Sequence, residues 1–172
     1  MCTRSVVVVL ISVVSSCFAL PAMSSDDSLC KSTEQVVFTC TVGDEVISLC
    51  GVPGQSLQFR LGLPGKPLVS APKDAEALEA KIHTGSLERH GGKLSYVRLE
   101  GESAEYVLYD ADWPTLQESG SYTIRDGSAI EVRRCTERHA TLAAASNYSV
   151  AADSASKAQE IWNLYPHDDT AR

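Results

Sequence analysis

Apolar side chains recur at every second position in several short segments between residues 36 and 134, and a period of two is what a strand with one buried face requires. In Val36-Val37-Phe38-Thr39-Cys40-Thr41-Val42 the even positions Val36, Phe38, Cys40 and Val42 make one apolar face. Gly43-Asp44-Glu45 is a turn, and Val46 to Cys50 returns as its hairpin partner. Leu57, Phe59 and Leu61 alternate with Gln58 and Arg60 up to Gly62, and Pro64-Gly65 turns the chain into a short extended piece at Leu68 to Ser70. Leu94 to Leu99 and Glu105 to Tyr109 face each other across residues 100–103. Ser121 to Arg125 and Ala129 to Arg134 are joined by Asp126-Gly127, the strongest local hairpin signal in the chain.

Two segments break this pattern. Asp74 to Ile82 (DAEALEAKI) is rich in helix formers and predicts a short inserted helix, followed by a mobile connection bracketed by Gly85, Gly91 and Gly92. Ala140 to Val150 is small and polar and reads as a linker. Beyond it Ala158, Ile161, Trp162 and Tyr165 fall at i, i+3, i+4 and i+7, one face of a helix over Ser154 to Tyr165. Asp153 is the expected N-cap and Pro166 the stop. The fold expected is therefore mainly β: an antiparallel β-sandwich or barrel-like domain over residues 23–139, with the inserted helix, and a linker and amphipathic C-terminal helix over 140–172.

The first 22 residues predict a targeting segment. Arg4 supplies a positive start, and Val6 to Val14 is an apolar run too short for the roughly 20 residues that a spanning helix needs. Small residues follow, so a peptidase could cut after Ala19, Ala22 or Ser24. Val14-Ser15-Ser16-Cys17 also resembles a bacterial lipobox, in which Cys17 would carry lipid. The expected location is periplasmic or secreted, with an outer-membrane lipoprotein as the alternative. Of six cysteines, the segment removes Cys2 and Cys17 and leaves Cys30, Cys40, Cys50 and Cys135. An even count in an exported chain reads as two disulfides, with three pairings open. No C-x-x-C occurs, so zinc is not expected.

Charge narrows the partners. The formal charge is −7, and removing Arg4 makes it −7 − 1 = −8, which argues against nucleic acid and anionic lipid; a lipid anchor would be the one membrane link. Catalytic signatures are missing: there is no G-x-S-x-G, no H-E-x-x-H and no Walker A loop. His83, His90, His139 and His167 are scattered in polar stretches and read as solvated. Asp110 and Asp112 could pair as acid and base in a small hydrolase, although an Asp-rich turn before Pro114 is the simpler account. Arg133, Arg134 and Arg138 read as a solvated strand end. Asn147-Tyr148-Ser149 is a formal glycosylation sequon. The expectation is a non-enzymatic protein with neither cofactor nor metal.

Binding is the more specific reading. Asp110 to Tyr122 combines Asp110, Asp112 and Glu118 with Trp113 and Leu116 on a Pro-containing loop, and ends in Ser119-Gly120-Ser121-Tyr122. Such a loop suits recognition of a basic protein. The plainer alternative makes Tyr122 the first core residue of the following strand.

Two resemblances add to this. Phe38-Thr39-Cys40, Ile47-Ser48-Leu49-Cys50 and Leu57-Gln58-Phe59-Arg60-Leu61-Gly62, with a late cysteine at Cys135, resemble a group of small exported bacterial proteins of unestablished function. Ser119-Gly120-Ser121-Tyr122 is similar to the S-G-x-Y motif of the periplasmic lysozyme inhibitors. That likeness implies a loop entering a lysozyme cleft, with Ser119 and Tyr122 hydrogen-bonding near its catalytic carboxylates and Gly120 allowing close approach. An envelope protein of structural or unknown interaction role is the alternative.

Overall fold

The computed structural model describes residues 28–52, 55, 57–71, 81–101, 103–138, 141–148 and 150–166. The proposed leader, the lipobox at Cys17, His139, His167 and most of the proposed inserted helix lie outside them. Among the described residues eleven strands form in chain order: β1 Gln35–Val42, β2 Glu45–Gly51, β3 Leu57–Leu63, β4 Lys66–Ala71, β5 Ile82–Arg89, β6 Gly92–Glu100, β7 Glu105–Trp113, β8 Leu116–Arg125, β9 Ser128–Arg134, β10 Glu137–Arg138 and β11 Ala151–Ala152. A helix, α1, follows at Ala155–Leu164. The strands make a five-stranded sheet in the order β10-β1-β2-β3-β4 and a six-stranded sheet in the order β11-β5-β6-β7-β8-β9. All neighbours are antiparallel except β11 and β5.

The alternation along each strand builds three layers. Phe38, Cys40, Ile47, Leu49, Leu57 and Phe59 of the first sheet pack against Ile82, Val97, Leu99 and Leu108 of the second. The residues between these on the second sheet, Leu94, Tyr96, Val107, Tyr109, Tyr122 and Ile124, face the other way and are covered by Ala158, Ile161, Trp162 and Tyr165 of the α1 segment. The six-stranded sheet is thus buried on both faces over its centre, which is why β6 and β7 lack a solvent side there.

Most expected strands appear with longer ends, and several readings need correction. Val36 is exposed and Val37 buried, because a bulge between Val36 and Phe38 shifts the alternation by one residue. Gly85 and Gly92 are strand residues rather than a mobile connection, and Ile82 opens β5 rather than closing a helix. The linker is not one: its residues Leu142–Asn147 form a 3-10 helix whose Leu142 and Ala145 plug the core between the sheets. Ser154, not Asp153, caps α1, its hydroxyl accepting from the Lys157 N–H at 3.2 Å.

The cysteines pair as Cys30–Cys50 and Cys40–Cys135. The second bond ties β1 to the point where the chain crosses from β9 to β10, and so joins the two sheets. Two disulfides fit an oxidising, exported environment. No helix among the described residues is long and apolar enough to cross a membrane.

Candidate functional site: the β7–β8 hairpin and its cleft

Strands β7 and β8 run in register from Glu105↔Ile124 to Trp113↔Leu116, so the proposed recognition loop is a hairpin with only Pro114-Thr115 at its turn. Asp110 and Asp112 are therefore strand residues, not members of an Asp-rich turn. Asp112 is exposed and accepts from Gln117 Nε2 at 3.0 Å, and Asp110 is half-buried beside Ser119 in the register.

Ser119, Gly120 and Tyr122 do not sit on a protruding loop. They lie within β8, and Tyr122 is 1% exposed. Its hydroxyl donates to the Ile161 carbonyl of α1 at 3.2 Å, its ring packs 6.0 Å from that of Tyr109, and burial pushes its ionisation well above the ordinary phenol range. Gly120 serves the fold in another way than close approach to a partner. A Cβ there would collide with the Arg133 carbonyl oxygen of β9 and press on the Tyr109 hydroxyl, so only glycine lets β9 close against β8. The S-G-x-Y likeness implies a protruding loop; here Ser119 and Tyr122 are buried residues of a strand.

Trp113 is also less exposed than expected. Its ring lies against Gly92, where a side chain would displace it, and packs 5.9 Å from Trp162 and 6.0 Å from Tyr165. Leu116 is the apolar residue of the hairpin left to solvent, at 39% exposure. Beside it Glu118 is held firmly. Tyr109 and Tyr165 donate to Oε1 at 2.8 and 3.0 Å, and Arg134 Nε donates to Oε2 at 3.1 Å. Burial, together with the Glu118 hydrogen bond and charge, raises the ionisation of both tyrosines, which fixes them as donors. Leu116, Gln117, Glu118, Ser119, Arg134, Cys135 and Thr136 line an open cleft of about 350 Å³. Of the expected residues, Leu116 and Glu118 thus share one cleft at one end of the second sheet, with Trp113 opposite Leu116 in the register, whereas Asp112 lies on the other face with Gln117 and lines a separate hollow beside Lys93.

A second polar cluster escaped the sequence analysis. Arg98 of β6 and Asp153 are both buried and joined at two points, 2.7 and 3.0 Å, and the Tyr96 hydroxyl donates to the same carboxylate at 3.1 Å. His83 is not a solvated histidine: Nδ1 lies 3.4 Å from Asp153 and Nε2 lies 3.4 Å from Glu100. His90 is exposed, at the β5–β6 turn. The sign that could have revealed the cluster is the alternation itself, which places Arg98 two residues from Tyr96 on the face that α1 covers. Arg98 engages both oxygens of Asp153, so the pair fastens the start of the C-terminal helix segment to β6.

Arg133 meets Glu45 of β2 and Glu131 of its own strand, and Arg134 meets Glu118 of β8, so these two arginines are paired rather than merely solvated. Cys30, Glu34 and Cys50 bring three ligand-type atoms within 4.8 Å, but the sulfurs are bonded to each other and offer no thiolate. Comparison with known proteins finds no matching family model, curated protein or solved structure.

Proposed function

We propose that this chain is an exported, non-enzymatic binding protein that recognises a basic protein with the end of the β7–β8 hairpin. One observation carries the reading: Leu116 stays exposed at the lip of a cleft whose wall holds the fixed carboxylate of Glu118, in a chain of formal charge −7. An apolar anchor beside an acidic group suits a partner surface that combines aliphatic and cationic side chains. The overall charge would speed encounter with such a partner. A lysozyme, the partner suggested by the S-G-x-Y likeness, is the first basic protein to try. It would be met by Asp112, Leu116 and Glu118 and not by Ser119 and Tyr122.

The test is lysis of a peptidoglycan suspension by c-, i- and g-type lysozymes, with and without the oxidised protein, beside direct binding of each enzyme by calorimetry. The expected result is binding of one type that weakens with salt and is lost in Leu116→Asp. If no type binds or is slowed at molar excess, the lysozyme assignment falls. If a non-enzymatic panel of basic proteins also fails, the wider reading falls with it.

A further inference from the structure

The cleft exists because β8 is longer than the strand beside it. Strand β8 pairs with β7 from end to end, but β9 reaches only to Gly120↔Arg134. Past that point the chain must leave the second sheet, since Cys135 is bonded to Cys40 and the next residues pair with β1. The last rung is the Cys135 N–H donating to the Ser119 carbonyl at 2.8 Å. Among the described residues no strand lies beside Leu116, Gln117 and Glu118 on that side, and their edge opens into the cleft.

Backbone groups alternate sides along an antiparallel strand. Ser119 turns its carbonyl toward the cleft, so Gln117, two residues back, turns both its N–H and its C=O the same way. This edge also lacks the devices that blunt the others. Glu131 puts a left-handed residue (φ 51°) into β9, β4 carries Pro67, and β11 covers part of β5. Leu116 to Ser119 contains no proline, no lysine and no positive φ.

We infer that this short edge takes up an extended segment of the partner by strand addition, and that the segment alternates apolar with cationic residues. The inference rests on the binding reading above and adds its mode. The two faces of the edge set the pattern. Leu116 and Glu118 lie on the α1 side, where an incoming apolar side chain would cover Leu116. Gln117 lies on the opposite side with Asp112, its hydrogen-bond partner, and the register puts Asp110 two residues along the same strand. A strand added about 4.8 Å beyond β8 leaves Lys or Arg side chains long enough to reach those carboxylates across one intervening strand. A main-chain ladder supplies affinity in such complexes and the alternate side chains supply selection.

The experiment titrates isotope-labelled oxidised protein with an acetylated Arg-Val-Lys-Val-Arg-Val peptide, its Glu-for-Lys/Arg twin, and a copy N-methylated at alternate residues. The cationic peptide should move the Gln117 and Thr136 amide signals and slow hydrogen exchange at Gln117. The acidic twin should bind about tenfold or more weakly, a loss of about 1.4 kcal/mol, and the methylated copy should not bind. Gln117→Pro removes the N–H at a position where an edge strand accepts proline, and it should abolish binding with the remaining spectrum intact. Signals that move elsewhere, or equal binding by Gln117→Pro or the methylated peptide, would overturn strand addition. So would binding seen only after deletion of residues 167–172, which would give the edge to the chain's own tail. A basic protein that binds Gln117→Pro normally but fails with Leu116→Asp would leave the binding reading standing and end this one.

Discussion

Arg98 grips Asp153 at two points, Nη2 to Oδ1 at 2.7 Å and Nε to Oδ2 at 3.0 Å, directly ahead of the first turn of α1. The pair is buried, with side-chain exposures of 5% and 4%. Glu100 and Glu105 accept from the same guanidinium, and Lys157 of α1 reaches Glu105. The C-terminal segment is thus fastened to β6 by charge and, further along, by the tyrosine contacts to Ile161 and Glu118.

Removing one partner leaves the other charged and buried. Asp153→Ala should therefore cost about 3–5 kcal/mol in denaturant unfolding. Hydrogen exchange should accelerate first at Ala158 to Ile161, the part of α1 that lies over Tyr122. An unchanged unfolding midpoint would mean that water reaches Arg98 and that the clamp contributes little.

The same clamp predicts an acid limit. Burial raises the Asp153 carboxyl, but the Arg98 hydrogen bonds and charge, aided by Tyr96, overcome it and hold the group below its ordinary 3.8. Glu34 is held below its ordinary 4.5 chiefly by its hydrogen bonds from Arg60, including Nη2 to Oε1 at 2.7 Å. A carboxylate depressed in the folded state contributes stability that is complete above its unfolded value and is lost as pH falls through its folded one. Stability should thus fall steadily below about pH 4 to 4.5 as these two groups titrate. Glu34→Gln should be less stable at pH 7 and should show a shallower acid slope. Denaturant midpoints measured from pH 7 down to pH 2 decide this, and stability that rises on acidification would contradict it.

Tyr122 distinguishes the buried role from the inserted one. Tyr122→Phe loses one buried hydrogen bond, to Ile161, and should cost about 1 kcal/mol. Tyr122→Ala opens a cavity under α1 and should cost about 3–5 kcal/mol. Any partner bound by the hairpin should bind Tyr122→Phe with wild-type affinity. A loss of binding in that variant, with thermal stability within a few degrees of the parent, would restore the insertion mode.

Strands β1, β2, β3, β6 and β9 and the turns at Gly43 and Asp126-Gly127 were legible because alternation and turn residues are local signals, whereas β5 and the end of the β7–β8 hairpin were not. Asp126 and Gly127 both adopt positive φ, 52° and 72°, as a tight hairpin turn demands. The α1 stripe was legible for the same reason. What escaped depended on partners far along the chain. Leu142 looks like a residue of a small polar linker until the gap between the sheets is known. Asp153 looks like a cap until Arg98 stands beneath it. Ser119-Gly120-Ser121-Tyr122 matched a binding motif in letters, yet its phase along β8 was already set by Ile124, two residues from Tyr122 on the same face. That period of two, continued backward, places Tyr122 in the core, which is the plainer alternative the sequence offers beside the binding motif. The edge at Gln117 could not be foreseen, because it follows from Cys135 pairing with Cys40 among three open pairings.

That disulfide also gives the largest expected effect. Cys40 and Cys135 are 95 residues apart and Cys30 and Cys50 are 20 apart. Restricting the unfolded chain is worth more for the longer loop, roughly 4–5 kcal/mol against roughly 3 kcal/mol. Cys40→Ala/Cys135→Ala should therefore unfold at lower denaturant than Cys30→Ala/Cys50→Ala. It should also release the crossover at Thr136, whose N–H donates to the Thr41 carbonyl at 2.8 Å. The crossover is one wall of the cleft, so the Cys40/Cys135 variant should lose ligand at the hairpin even under conditions where it remains folded, and the Cys30/Cys50 variant should not. Equal loss of binding in both variants would show that general stability, and not the position of the crossover, governs the site.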